Sequence, residues 1–336
     1  MLGPRIRELR LAHGLTQEDL AARAGVSRQL VGAVEAGRHL PRVDAAVAIA
    51  RVLGAPVEDL LAPAATEVVG VLAPPRDGQP VRVARVGGLL VCLPARPVGE
   101  SWAVADAVVH GGMVDLIHGE RPAAVVAGCD PALGLIERLV GPGSDPSVLA
   151  VSTSSSAAVA ALRAGRVHAA VVHGPAGRLP TPPPGAHRFL VTRWQVGLVA
   201  PSDLRRGWAE RALTGRAKVV QREAGAGSQT AFERAARAAG ATLPIAGPRV
   251  AGHLEAAQRA ASDGLPAVSI EPAALATGLA FHPLEEHVSE LWVAGDHLGE
   301  PAVRRFTDEL TGARLHRRLA AIGGYDLTEC GAAVPA

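Results

Sequence analysis

At 336 residues, with 48% hydrophobic and 20% charged side chains, the chain is long enough for two or three domains and is not largely disordered. A formal net charge of +2 excludes a chain-wide polyanion-binding surface, so any such surface is local. Cys92, Cys129 and Cys330 are too far apart for a disulfide framework or a zinc pattern, and no window approaches the roughly eighteen apolar residues of a membrane span. The opening stretch MLGPRIRELRLAHG is charged and lacks a signal peptide's apolar core, which predicts a cytoplasmic protein with no membrane partner.

In the first sixty or so residues, Ile6, Leu9, Leu15, Leu20, Val26, Leu30, Val34, Ile49, Leu53 and Leu60 recur at helical spacing, interrupted at Gly14, Gly25, Gly37 and Gly54. The spacing predicts about five short helices, near 3–12, 16–23, 27–36, 44–53 and 56–61. Thr16 with Asp19 reads as a capping box, Ser27 as the cap of the third helix and Gly37 as its C′ residue. Arg28, Arg38, Arg42 and His39 face a single acid, Glu35, over residues 28–42, a local positive face in a balanced chain.

The tight Ala24-Gly25-Val26 turn, and the order of the TQEDLA, AGVSR and VEAG blocks, resemble the Xre (phage-repressor-like) helix-turn-helix family across residues 5–61. The resemblance implies that the third helix enters the DNA major groove from its first turns. It places Ser27, Arg28 and Gln29 at that entry, with Arg28 and Gln29 on base edges. Gly32 and Ala33 allow close approach, while Gln17, Arg38 and Arg42 hold phosphates. Glu35 is expected to support the fold. One such head offers few base contacts, so a homodimer on double-stranded operator DNA is expected.

Residues 63–80 are proline-rich and predict a linker, and residues 81–120 predict a small β-rich lead-in with a hairpin at Gly87-Gly88. From 121 onward, the apolar runs AAVVAG, VLAVS and VHAAVVHG alternate with helical segments, which predicts a mainly parallel α/β sheet. HRFLVTRWQVGLVAP is long enough to cross between two lobes. In such sheets ligands bind beyond the carboxyl ends of strands, where Cys129-Asp130-Pro131 and Ser152 to Ser156 lie. His168 and His173 flank one strand at five-residue spacing and point to opposite faces, so no shared metal is expected. Cys129 has no histidine nearby in sequence, so no catalytic residue is assigned. Gly225-x-Gly227 lacks the third glycine of a dinucleotide fingerprint and the Lys of a phosphate loop, so no cofactor is assigned.

The blocks VVAGCDPALGL, RAGRVHAAVVH, RWQVGLV, QREAGAGSQT and GYD resemble, in order, the molybdate-binding-protein-like domain of the periplasmic-binding-protein type II architecture. The resemblance implies two lobes closing on an oxyanion of the molybdate or tungstate type, or on a small anionic or polar metabolite. Its site positions match Asp130, Thr153, Ser154, Ser155, Gly227, Ser228 and Gln229, with Glu271 a further candidate. Relatives tend to carry arginine where this chain has Gln229. Without that cationic fork a neutral or singly charged ligand becomes as plausible a fit as a dianion.

The expected architecture is multidomain. An all-α five-helix helix-turn-helix domain (1–62) precedes the linker and lead-in, and a two-lobed α/β domain follows (121–336; lobe I about 121–193 and 285–336, lobe II about 197–282). The expected function is a ligand-responsive one-component transcriptional regulator. The alternative is a DNA-binding regulator whose C-terminal domain is a ligand-independent oligomerisation scaffold.

Overall fold

The computed structural model describes residues 3–36, 38–57, 60, 66–96, 104–117, 122–140 and 146–335. The chain divides into two units, described in turn: one of residues 1–68, 75–82 and 94–119, the other of residues 69–74, 83–93 and 120–336.

The first unit opens with helices α1 (Gly3–Ala12), α2 (Gln17–Ala24), α3 (Arg28–Glu35) and α4 (Val43–Leu53). The capping box forms: Thr16 Oγ1 accepts from the Asp19 amide, and Asp19 Oδ2 accepts from the Thr16 amide at 2.8 Å. Gly25, at φ 66, ends α2, and Ser27 Oγ accepts the Leu30 amide to start α3. Ile6, Leu20, Val31, Val34, Ile49, Leu53 and Leu60 form one buried core. The fifth expected helix and Gly37 fall largely outside the described residues.

The described part of the expected linker, residues 66–80, enters a sheet. Strand β1 (Thr66–Glu67) pairs with β6 (Met113–Leu116), β6 with β5 (Ala107–His110), and β5 with the start of β3 (Pro80–Val86), all antiparallel. Within the second unit, β2 (Val69–Gly70) pairs parallel with β4 (Leu89–Pro94), and Gly87 at φ 55 makes the expected hairpin between β3 and β4. His110, on β5, is exposed, and His118 lies outside the described residues.

The rest of the second unit is built on one six-stranded sheet, ordered β13-β10-β14-β9-β7-β8. Its strands are β7 (Ala123–Gly128), β8 (Ser147–Ser152), β9 (Ala169–Gly174), β10 (His187–Ala200), β13 (Ala267–Ile270) and β14 (Ala280–Val293). The sheet is mixed, not mainly parallel. Strands β7, β8 and β9 run parallel, but β10 pairs antiparallel with both its neighbours, and β14 antiparallel with β9. Strands β10 and β14, 14 residues each, run side by side along their whole length. Where their register shifts at Val196/Gly197, a side chain on Gly197 would run into the His282 carbonyl and the Phe281 ring.

Helices α5 (Ala132–Val140) and α6 (Ser155–Arg163) follow β7 and β8. Beyond β10 come α7 (Trp208–Leu213), the short β11 (Gln221–Arg222), α8 (Gly227–Ala238), β12 (Arg249–Val250), α9 (His253–Asp263) and α10 (Glu271–Thr277). These bury Trp194, Val220, Ala231, Ala256, Ile270 and Phe232. After β14, α11 (Pro301–Leu310) and α12 (Ala313–Ile322) return to the β7–β9 side, where Val303 and Phe306 pack with Ile136 and Val171. The chain then lies along β10, with Asp326 bridging Arg193 and Ala333 bridging Phe189.

Candidate functional site

In the helix-turn-helix, the acids and amides sort themselves by burial. Glu35 is buried and accepts from Arg10 Nε at 2.6 Å and Nη2 at 3.1 Å, tying α3 to α1. Burial alone would raise its carboxyl, but bonds from Arg10 and Gln17 outweigh it and hold the pKa below the usual range. Gln17 Nε2 donates to Glu35 Oε2 at 2.8 Å. Its amide thereby joins the Glu35–Arg10 pair from a half-buried position at the start of α2. Ser27 is engaged as a cap; Arg28 and Gln29 on the first turn of α3, and Arg38 and Arg42 beyond it, are exposed, with Gly32 and Ala33 half-buried between.

In the second unit the strand ends bring the candidate loops together. Asp130, after β7, is buried; its Oδ1 accepts from the Ala132 amide at 2.9 Å and from the Tyr325 hydroxyl at 3.2 Å. Burial raises its carboxyl above the ordinary range, against these hydrogen bonds and the nearby Trp194 indole. Ser154 caps α6 by accepting the Ala157 amide, and its Oγ lies 3.0 Å from Ser156 Oγ, which in turn donates to the Gly225 carbonyl. Ser155 Oγ accepts the His173 amide. The hydroxyls of Ser154 and Ser155 thus also accept from the protein's own amides. Ser156, the last serine of the candidate loop, is the one that meets the glycine motif. Thr153 is half-exposed at the same loop.

The glycine motif behaves differently from its reading as an open cradle. Gly225, at φ 82, approaches so closely that a Cβ would lie 2.6 Å from Ser156 Oγ, and one on Gly227 would lie 3.2 Å from the His173 ring. Helix α8 begins with no side chain capping it. Gln229 is engaged within the protein: its Oε1 accepts the Arg222 amide, and its Nε2 donates to Gln221 and Glu233. The cation missing at that position comes from Arg222, fully buried at the motif's start. It makes a two-bond pair with Glu223, both at 2.9 Å, and reaches Ser228 Oγ at 3.5 Å and His253 Nδ1 at 2.7 Å.

Around Arg222 the fold gathers a cluster that sequence spacing could not reveal. The His173 ring lies 4.6 Å from Trp194, 5.1 Å from His287 and 5.9 Å from His253. His173 Nδ1 meets His287 Nδ1 at 2.8 Å, and His287 Nε2 meets Glu285 at 2.6 Å, with Arg234 also on Glu285. Burial, reinforced by Arg222 and the other imidazoles, lowers His173 and His253 well below the usual histidine value; burial also lowers His287 despite Glu285. All three rings are neutral near pH 7. Burial pushes the Cys129 thiol up to about 12, which removes it as a nucleophile. Beside this cluster, Trp194 and Tyr325 also line a cavity of about 300 Å3 with Arg193, Gln195, Glu271 and Glu286. Glu271 faces that cavity.

Among the described residues, two groups have donor types suited to a metal. Cys129, His173 and His253 bring one ligating atom each within 4.8 Å of the others, so the fold supplies the histidines that Cys129 lacks in sequence. Arg222, however, donates to His253 and sets a positive charge beside it. His168, His297 and Glu300 form the other group, but His168 Nδ1 accepts the Val125 amide, so its Nε2 carries the proton and offers no lone pair.

Residues 6–60 match the helix-turn-helix family profile, and residues 141–311 match the PBP superfamily domain. An HTH-type transcriptional regulator of Archaeoglobus fulgidus is 46% identical over 56 residues, 17% of this chain and 80% of that protein. The restriction-modification controller protein C.AhdI from Aeromonas hydrophila is 39% identical, covering 18% of this chain and 89% of its own, with a TM-score of 0.17. An ABC-type phosphate transport receptor from Vibrio cholerae is 13% identical, covering 60% of this chain and 99% of its own, with a TM-score of 0.42. Among the described residues no helix is long and apolar enough to cross a membrane. The chain belongs to the HTH-type transcriptional regulators and joins its helix-turn-helix to a domain of the PBP superfamily.

Proposed function

We propose that this regulator binds operator DNA through α3 as a homodimer, and that a small oxygen-rich ligand held between the lobes of the PBP-like domain shifts that binding. The observation that carries the ligand reading is a set of buried polar atoms without well-formed hydrogen bonds. Asp130 Oδ2, Trp194 Nε1 and His253 Nε2 are all buried in the cluster at the strand ends with no hydrogen bond of good geometry, the Trp194 N–H lying close enough to Asp130 to lower its carboxyl. A buried polar atom left unpaired costs about 1–3 kcal/mol. A domain serving only as a scaffold would gain by replacing these groups with apolar ones, so their retention favours a sensor.

Of the effector classes left open by the sequence, a singly charged oxyanion or a neutral polar molecule is better supported than a molybdate-type dianion. Arg222 is balanced by Glu223, and the imidazoles are neutral, so the site holds little surplus positive charge beyond the start of α8. For DNA, the exposed first turn of α3 favours Arg28 and Gln29 on base edges, and Arg38 and Arg42 on phosphates. Ligand binding would act by differential affinity for two arrangements of the regulator.

The test uses the full chain. Operator fragments are selected from a genomic library, and their affinity is measured by fluorescence anisotropy with and without each member of a panel of oxyanions, hydroxy acids and polyols. A panel member that raises the melting temperature and shifts operator affinity supports the sensor. Operator binding indifferent to every member would favour a scaffold.

A further inference from the structure

Three contacts set the polarity of the cluster. A guanidinium only donates, so the 2.7 Å contact from Arg222 makes His253 Nδ1 an acceptor, and the neutral ring carries its proton on Nε2, which is buried and unpaired. A carboxylate only accepts, so the 2.6 Å contact to Glu285 puts the His287 proton on Nε2. His287 Nδ1 is then a lone pair, and the 2.8 Å contact with His173 Nδ1 must be donated by His173. The His173 proton is therefore on Nδ1, and Nε2 keeps a lone pair with no hydrogen bond among the described residues. Two neighbouring rings of opposite polarity result, and their ligating atoms lie within 4.8 Å of each other and of the Cys129 sulfur. The Trp194 indole, 5.7 Å from the His253 ring, has no hydrogen bond of good geometry, its N–H lying beside the Asp130 carboxyl.

We infer that the cleft recognises a small oxyanion that carries an O–H group, the His253 and Trp194 N–H groups donating to its oxygens while His173 accepts from its hydroxyl. This rests on the sensor reading above. A fully deprotonated oxygen ligand answers the two donors but sets its own lone pairs against that of His173. An O–H answers both sides at once. His287 and Glu285 act as positioning residues: without the acceptor at Glu285, nothing obliges His287 to accept from His173. A soft cation would need a lone pair on His253 where the proton now sits.

The experiment is calorimetric titration of the full chain with two matched pairs at equal ionic strength: phosphate against sulfate, and glycolate against acetate. The O–H-bearing member of at least one pair is expected to bind at least about tenfold more tightly, the size of one buried hydrogen bond. The pair that responds distinguishes an inorganic from an organic ligand. Equal binding within each pair, or a zinc ion binding more tightly than either O–H-bearing probe, overturns the inference but leaves a sensor. No binding by any probe, with operator affinity unchanged, removes the sensor and the inference together. Glu285→Leu should reduce the selectivity to within about threefold, whereas Glu285→Gln, whose carbonyl still accepts, should retain it. Independently of any ligand, 15N spectra of the ring nitrogens should show His173 protonated at Nδ1 and His253 at Nε2. The opposite tautomer at either ring overturns the assignment.

Discussion

Replacing Arg222 with methionine tests whether one buried guanidinium organises the ligand domain. Methionine keeps much of the volume and removes every donor. The paired Glu223 then loses a partner with two contacts at 2.9 Å. Cutting a buried pair costs about 3–5 kcal/mol, but the Glu223 side chain is 26% exposed and can be rehydrated, which lowers this to about 2 kcal/mol. His253 Nδ1 also loses its 2.7 Å donor inside the core, adding about 1 kcal/mol or more. The sum, about 3 kcal/mol, corresponds to a fall of about 6–12 °C in the melting temperature of a unit of this size. Differential scanning calorimetry of the full chain reads it directly, and the transition of the helix-turn-helix serves as an internal control. A shift below about 1 °C would refute the role given to Arg222.

Other consequences follow from the same contacts. Arg10→Met should destabilise the helical domain by about 3–5 kcal/mol, because it strands the buried Glu35 carboxylate. With that carboxyl held below its unfolded value, the pair's contribution is complete at neutral pH and is lost as the pH falls through the folded pKa, a trend that urea denaturation across the acid range would show in the wild type and not in the variant. A Cβ at Gly32 would meet only the Gln17 amide, at 3.6 Å, so Gly32→Ala should stabilise α3 by up to about 1 kcal/mol. It should nevertheless weaken operator binding if the helix face approaches the groove closely, and Arg38→Ala should lower the salt slope of DNA binding by about one. Anisotropy titrations over a range of salt read both. Burial, with the neighbouring His297, outweighs Glu300 and lowers His168 to about 4, so below pH 6.5 the unfolded chain binds the extra proton and stability should fall by about 3 kcal/mol by pH 4. His168→Asn should flatten that part of the pH profile in chemical denaturation.

Much of the fold is legible in the order of residues because its signals are local. Thr16 and Asp19 stand three residues apart and form their cap within one turn. The Gly87 hairpin and the start of α6 at Ser154 are likewise set by near neighbours. The long strand from His187 is visible as an unbroken β-like run. What spacing cannot show is register. That β14 runs beside β10 for its whole length, making the sheet mixed, depends on pairings about ninety residues apart, as between Trp194 and His287.

The ligand site divides in the same way. The loops at Asp130, Ser154 and Gly227 are correctly located as strand-to-helix turns, yet the chemistry within them is redistributed by burial. Gln229 looks like a ligand group beside two glycines, but its amide is satisfied by Arg222, Gln221 and Glu233. Arg222 stands in the same quoted stretch, and its flanking by Gln221 and Glu223 is the available hint that a charge here is kept buried. His173, His253 and His287 are separated by 80 and 34 positions and meet only in the folded chain.

The central claim is that ligand in the PBP-like domain changes how the helix-turn-helix holds DNA. The most direct measurement is the dissociation constant of the full chain for its selected operator, with saturating phosphate or glycolate against sulfate or acetate at equal ionic strength. The account predicts a shift of about 5–150-fold, the range of a 1–3 kcal/mol coupling, with an O–H-bearing probe and not with its counterpart. An operator affinity that stays the same while a probe demonstrably occupies the cleft would contradict it.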